Sequence, residues 1–83
     1  MIPTVYILQC SDSTLYIGST NDINKRLHEH NNLKSWAHYT KIRRPVILIY
    51  SEICETLNDA RKREYYLKQL SRKEKLELIK NTN

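Results

Sequence analysis

The 83-residue chain has no phenylalanine, a single glycine, two prolines and two cysteines. Cys10 and Cys54 lie far apart and outside any C-x-x-C pair, so neither a disulfide framework nor a zinc site is expected, and a reducing cytosol is the expected compartment. No apolar run approaches the roughly 20 residues that span a bilayer, so no membrane segment is expected. Met1-Ile2-Pro3-Thr4 carries no base ahead of the apolar stretch and no small-residue cleavage site, which argues against a signal peptide. Repeats, low-complexity tracts and linkers are also missing. The length then gives one small domain, residues 1–83, with little apolar surface to spare. The chain is 40% hydrophobic and 28% charged, the mixture of a globular domain rather than of a disordered tail.

The net charge of +5 is unevenly spread: residues 1–24 carry −2, 25–44 carry +5, 45–60 carry −3 and 61–83 carry +5. Two basic blocks separated by acidic segments form one positive surface if the fold brings them together, and nucleic acid is the polyanion such a surface meets most often in a cytosol. A solvated face that only keeps the protein soluble is the alternative.

Residues 4–9 and 14–19 are β-branched and aromatic and read as the two arms of a hairpin around Ser11-Asp12-Ser13. Thr20-Asn21-Asp22 offers a cap for a helix carrying Ile23, Leu27 and His30 at helical spacing and ending near Asn31-Asn32. Residues 33–44 form a basic loop. Val46-Ile47-Leu48-Ile49-Tyr50 lacks alternation and is expected to be a strand buried on both faces. Thr56 starts a helix over 57–70, and Ser71-x-x-Glu74 is a capping box for a last helix over 72–80. The order β-β-α-β-α-α predicts an α+β fold, a three-stranded antiparallel sheet flanked by helices.

Several residues resist a purely structural explanation. Gly18 sits inside a strand pattern, where glycine marks a bulge or a close approach. Tyr16 shares its face of the strand, and Tyr6 joins that face if the hairpin loop has an odd number of residues. Arg26 and His30 lie four apart on the side of the first helix that also carries Ile23 and Leu27, which is costly without partners, a structural ion pair being the simpler solution. Glu64 falls on the apolar stripe of Leu57, Ala60, Leu67 and Leu70; it either reaches a cleft and binds a cation or pairs with Arg61 or Lys68.

These residues resemble the GIY-YIG nuclease domain superfamily. Tyr16-Ile17-Gly18 is the second half of the name motif, while Thr4-Val5-Tyr6 keeps only the tyrosine of the first. Arg26 stands ten residues after the second tyrosine, His30 four further on, and Glu64 follows on a later helix, all as in that family. The resemblance spans essentially the whole chain and is closest to the small stand-alone bacterial, UPF0213-like members. Two departures stand out: Ser19 replaces a lysine that many members carry there, and no asparagine beyond Glu64 matches the one that several members use to seat the phosphate.

The resemblance implies a DNA endonuclease using one Mg²⁺ or Mn²⁺ held by Glu64. Tyr16, assisted by Tyr6, would orient or deprotonate the attacking water, Arg26 would clamp the non-bridging oxygens, and His30, close to neutral at working pH, would relay a proton. An unperturbed tyrosine ionises near pH 10, so base chemistry calls for a pKa lowered by about two to three units, with Arg26 and the metal as the sources. Lys34, Lys41, Arg43 and Arg44 would hold flanking phosphates, with Trp36 or Tyr39 stacking on a base. The implied substrate is branched, flapped or damaged DNA, in repair or recombination. The rival readings are a non-catalytic nucleic-acid-binding module on the same scaffold and an adaptor that takes its targeting from a protein partner.

Overall fold

The structure, a computed structural model, describes residues 2–32 and 42–81. Three strands, β1 (Thr4–Gln9), β2 (Leu15–Thr20) and β3 (Ile47–Ile53), form one antiparallel sheet in the order β2-β1-β3. Three helices accompany it among the described residues: α1 (Ile23–Asn32), α2 (Leu57–Lys68) and α3 (Arg72–Asn81). The expected α+β class and the order β-β-α-β-α-α are what the chain forms.

The central strand explains the layering. Val5 and Ile7 point to one face and pack with Ile17, Tyr50 and Leu67 of α2, joined by Leu78 and Ile79 of α3. Tyr6 and Leu8 point to the other face and pack with Cys10 and Val46, covered by Ile23 and Leu27 of α1. β1 is therefore the strand buried on both faces, which accounts for its unbroken apolar run. The same expectation for residues 46–50 is corrected: β3 is an edge strand, and its Ile47 and Ile53 are more than half exposed. Its pairing with β1 slips by one residue between Ile7 and Leu8, where Ile49 is left out of the ladder.

The hairpin register pairs Tyr6 with Gly18 and Leu8 with Tyr16, with five residues between the arms, so both tyrosines and the glycine share the α1 face. Helix ends follow the capping signals. The Asp22 carboxylate accepts from the Lys25 amide at 3.1 Å, and the Thr56 hydroxyl accepts from the Asp59 amide at 3.1 Å. Ser71 and Glu74 exchange amide bonds at 2.9 and 3.1 Å, a closed capping box. α1 ends at Asn32, as expected, and Asn31 clamps it to β3's entrance, donating to the Val46 carbonyl at 3.0 Å and accepting from its amide at 2.8 Å. Among the described residues no helix is long and apolar enough to cross a membrane.

Candidate active site

The site grows from the contact between Tyr6 and Gly18. A Cβ on Gly18 would lie 2.6 Å from Cζ of Tyr6, so the phenol ring of β1 lies over the bare backbone of β2. Gly18 has no positive φ, and the ladder is regular there. Its role is room for a ring rather than a bulge.

Seated this way, Tyr6 is 1% exposed and its hydroxyl lies 3.0 Å from Nε2 of His30, itself 1% exposed. Tyr16 meets the same imidazole edge-on, ring centres 5.0 Å apart. His30 thus solves its burial through Tyr6, and Arg26 solves its own through Glu29, 3.3 Å away. The structural ion pair expected on this side of the helix forms at Arg26, with Glu29 as its partner.

Burial sets the protonation states. The Tyr6 phenol is pushed well above the usual tyrosine range, chiefly by desolvation and then by neighbouring Tyr16. The Arg26 guanidinium, which hydrogen-bonds that phenol, pulls the other way without prevailing, and Glu64 adds a smaller upward push. Tyr6, expected to assist Tyr16 with the attacking water, is thus a neutral phenol at pH 7. His30 is pushed down to about 4 by burial, then by Arg26 and Arg44. His30, expected to be close to neutral at working pH, is an uncharged imidazole at pH 7.

Glu64 approaches from the far face of β2. Leu57, Arg61, Glu64 and Lys68 follow one another along one side of α2, within about 60° of each other at 100° per residue. Ser19 of β2 donates to Oε1 of Glu64 at 2.6 Å, and the Lys68 ammonium stands 2.7 Å from Oε2. Of the two expected structural partners, Lys68 is the one that pairs. Ser19 was notable in the sequence only as a replacement; the structure joins it to the carboxylate.

Tyr6, Tyr16, Arg26 and His30 are therefore gathered on the α1 face of the sheet, while Glu64 meets Ser19 on the other face of the edge strand β2 and is only the last of the charges that act on the Tyr6 phenol. Arg43 and Arg44 are turned to structural tasks. Arg43 pairs with Asp12 of the hairpin loop at 2.9 Å, and Arg44 donates to the His30 carbonyl at the end of α1 at 2.6 Å. Lys34, Trp36, Tyr39 and Lys41 lie outside the described residues.

Two clefts open near the site. The larger, about 430 Å³, is lined by Ile2, Ser51 and Ile53 among others and has Asp22 as its one charged residue. The smaller, about 350 Å³, lies between the end of β2, the start of α1 and the start of α2, and Lys25, Arg26 and Arg61 border it beside Ser19. In the sequence Arg61 stands out only as a partner for Glu64 and Lys25 only as part of the basic block, although Lys25 adjoins Arg26 and Arg61 precedes Glu64 by three residues on the same helix side.

Among the described residues no three His, Cys, Asp or Glu side chains gather as a ready metal cage. A single carboxylate with a hydroxyl beside it is a hard-oxygen donor set, the kind Mg²⁺ accepts while keeping most of its waters. Glu64 already faces a cation, the Lys68 ammonium, so positive charge is accommodated at that spot.

The chain is similar to known proteins over nearly its full length. A family model described as the GIY-YIG catalytic domain matches residues 2–77. A UPF0213 protein of Syntrophus aciditrophicus is 57% identical over 92% of this chain and 87% of its own length. One of Staphylococcus aureus is 51% identical over 92% of both chains. Among solved structures, the solution structure of a protein from E. faecalis superposes with a TM-score of 0.67 at 39% identity, covering 99% of this chain and 86% of that one. A UPF0213 protein from Bacillus halodurans gives 0.61 at 36%, covering 96% and 84%.

Proposed function

The chain belongs to the GIY-YIG catalytic domain family, and from that membership we propose that it is an endonuclease hydrolysing phosphodiester bonds of DNA with one divalent metal ion. The observation that supports the proposal is the meeting of two phenols, a guanidinium and an imidazole on one face of the sheet, with the Glu64 carboxylate bonded to Ser19 of the edge strand β2.

Glu64 and Ser19 are the residues that would hold Mg²⁺ or Mn²⁺, and the ion's contribution when bound is Lewis-acid polarisation of the phosphate and relief of charge on the leaving oxygen. Arg26 donates to the non-bridging oxygens of the phosphate, where negative charge builds in the transition state. Tyr16 orients the attacking water and, as its phenolate, takes up the water's proton to become the neutral phenol. Tyr6 does not take that role, because a phenol held above its usual range keeps its proton. It is hydrogen-bonded to Nε2 of neutral His30, whose ring Tyr16 meets edge-on. His30 acts as an acceptor throughout, and proton delivery from it at neutral pH is set aside.

The test is cleavage of flapped, branched and plasmid DNA in Mg²⁺ and in Mn²⁺ by the wild type and by Glu64→Ala. Metal-dependent cleavage lost in Glu64→Ala supports the proposal. No cleavage of any of these substrates by the wild type in either metal overturns it. One observation favours a second reading, a non-catalytic nucleic-acid-binding module. Both carboxylate oxygens of Glu64 already have protein partners. Under that reading DNA binding persists in Glu64→Ala and turnover is absent from both proteins.

A further inference from the structure

We propose that the cleft between α1, α2 and the end of β2 is a binding subsite for the DNA strand's backbone, in which Lys25 and Arg61 hold a phosphate next to the scissile one. The proposal rests on the nuclease reading only for naming DNA as the polyanion; phosphate binding itself follows from the cleft.

Three observations place a phosphate there. Lys25 and Arg26 from one helix and Arg61 from another border the same cleft, with Asp22 as the single acid. That acid is turned to its own helix, its carboxylate accepting from the Lys25 amide at 3.1 Å. Arg26 is matched by Glu29, whereas among the described residues neither Lys25 nor Arg61 makes an ion pair. Both are exposed, so their charge is available to a ligand at little desolvation cost.

Position links the cleft to the reaction centre. Ser19 lines it and donates to Glu64, and Arg61 sits one helical turn before Glu64 on the same side of α2. A strand whose scissile phosphate lies at Glu64 and Arg26 therefore continues along Arg61 and Lys25. The volume, about 350 Å³, is of a size to admit one phosphate and its sugar. The larger cleft, with no base on its walls, is unsuited to this use.

The experiment reads binding without turnover. Anisotropy of a fluorescein-labelled flapped DNA is titrated with protein in EDTA at several salt concentrations. It uses the wild type, Lys25→Gln/Arg61→Gln, and Lys73→Gln/Lys80→Gln on α3 as an equal-charge control; thermal melts check that each is folded. The expected result is a fall of about 1.4 to 1.8 in the salt slope and about tenfold or more in affinity for the cleft pair, with a clearly smaller change for the control. Equal changes in both pairs, no change in the cleft pair, or no binding by the wild type each overturn the subsite. Tighter binding of the matching RNA overturns the assignment to DNA. A wild type that shows the expected slopes in EDTA yet never cleaves in Mg²⁺ or Mn²⁺ leaves the subsite standing and removes only the nuclease reading.

Discussion

The Tyr6 hydroxyl lies 3.0 Å from Nε2 of His30, and both side chains are sealed from solvent. Burial keeps the phenol and the imidazole neutral, with Arg26 and Arg44 adding to the effect at His30, and this makes the stability of the protein depend on pH.

In the folded chain His30 takes up its proton only near pH 4, whereas in the unfolded chain it does so near 6.5. Between those values the unfolded state binds more protons, so stability is lost as pH falls from about 6.5 to 4 and is unaffected by this residue above that window. The full loss is on the order of 3 kcal/mol, a large share of what a small domain has. Urea unfolding at pH 7.5, 5.5 and 4.5 should show this decline in the wild type and a flatter profile in His30→Gln. Carboxylates intrude only at the lower end.

Gly18→Ala places a methyl group where the Tyr6 ring already lies. Ring and strand must separate, at a cost of about 1–3 kcal/mol for overpacking. In Tyr6→Val, which empties the same space, the added methyl group should be tolerated. A double-mutant cycle from unfolding curves measures the coupling, and additive effects would show that ring and glycine do not compete for space.

Lys68→Met frees one oxygen of Glu64. A largely exposed i,i+4 pair is worth about 0.3–0.5 kcal/mol, so Mn²⁺ should bind about twofold more tightly once the ammonium is gone. Ser19→Ala removes a bond to the other oxygen and one of the two proposed metal donors, and Mn²⁺ should bind it more weakly than the wild type. Calorimetric titration with Mn²⁺ separates the two.

Asn31→Ala leaves both the amide and the carbonyl of Val46 without their partner at the α1–β3 junction. The expected loss is about 2 kcal/mol or more, because partly buried backbone groups lose their bonds. Asn31→Asp, which keeps the acceptor for the Val46 amide, should recover part of it in the same unfolding assay.

Much of this is legible in the sequence because local rules and the global fold agree. The hairpin shows in its two β-branched arms, and each described helix start shows in a Thr, Ser or Asp cap. The shared face of Tyr6, Tyr16 and Gly18 depends on one parity, the odd loop, which the register supplies. The burial of β3 is misread because an apolar run says that side chains prefer contact, not which strand will lie in the middle; β1 takes that place. The protonation state of Tyr6 escapes the sequence for a related reason: spacing shows that Arg26 comes near, but burial outweighs its charge, and burial is a property of the packed molecule. The cleft of Lys25 and Arg61 joins two helices more than thirty residues apart in sequence, and no local pattern signals that meeting.

The most direct measurement is a structure of the protein soaked in Mn²⁺, with the ion located by its anomalous scattering. One Mn²⁺ bonded to a Glu64 oxygen at about 2.0–2.2 Å, with Lys68 displaced and Arg26 and Tyr16 facing the same space, is the predicted result. A peak elsewhere on the molecule, or no peak while the Ser19 and Lys68 contacts to Glu64 persist, would contradict it.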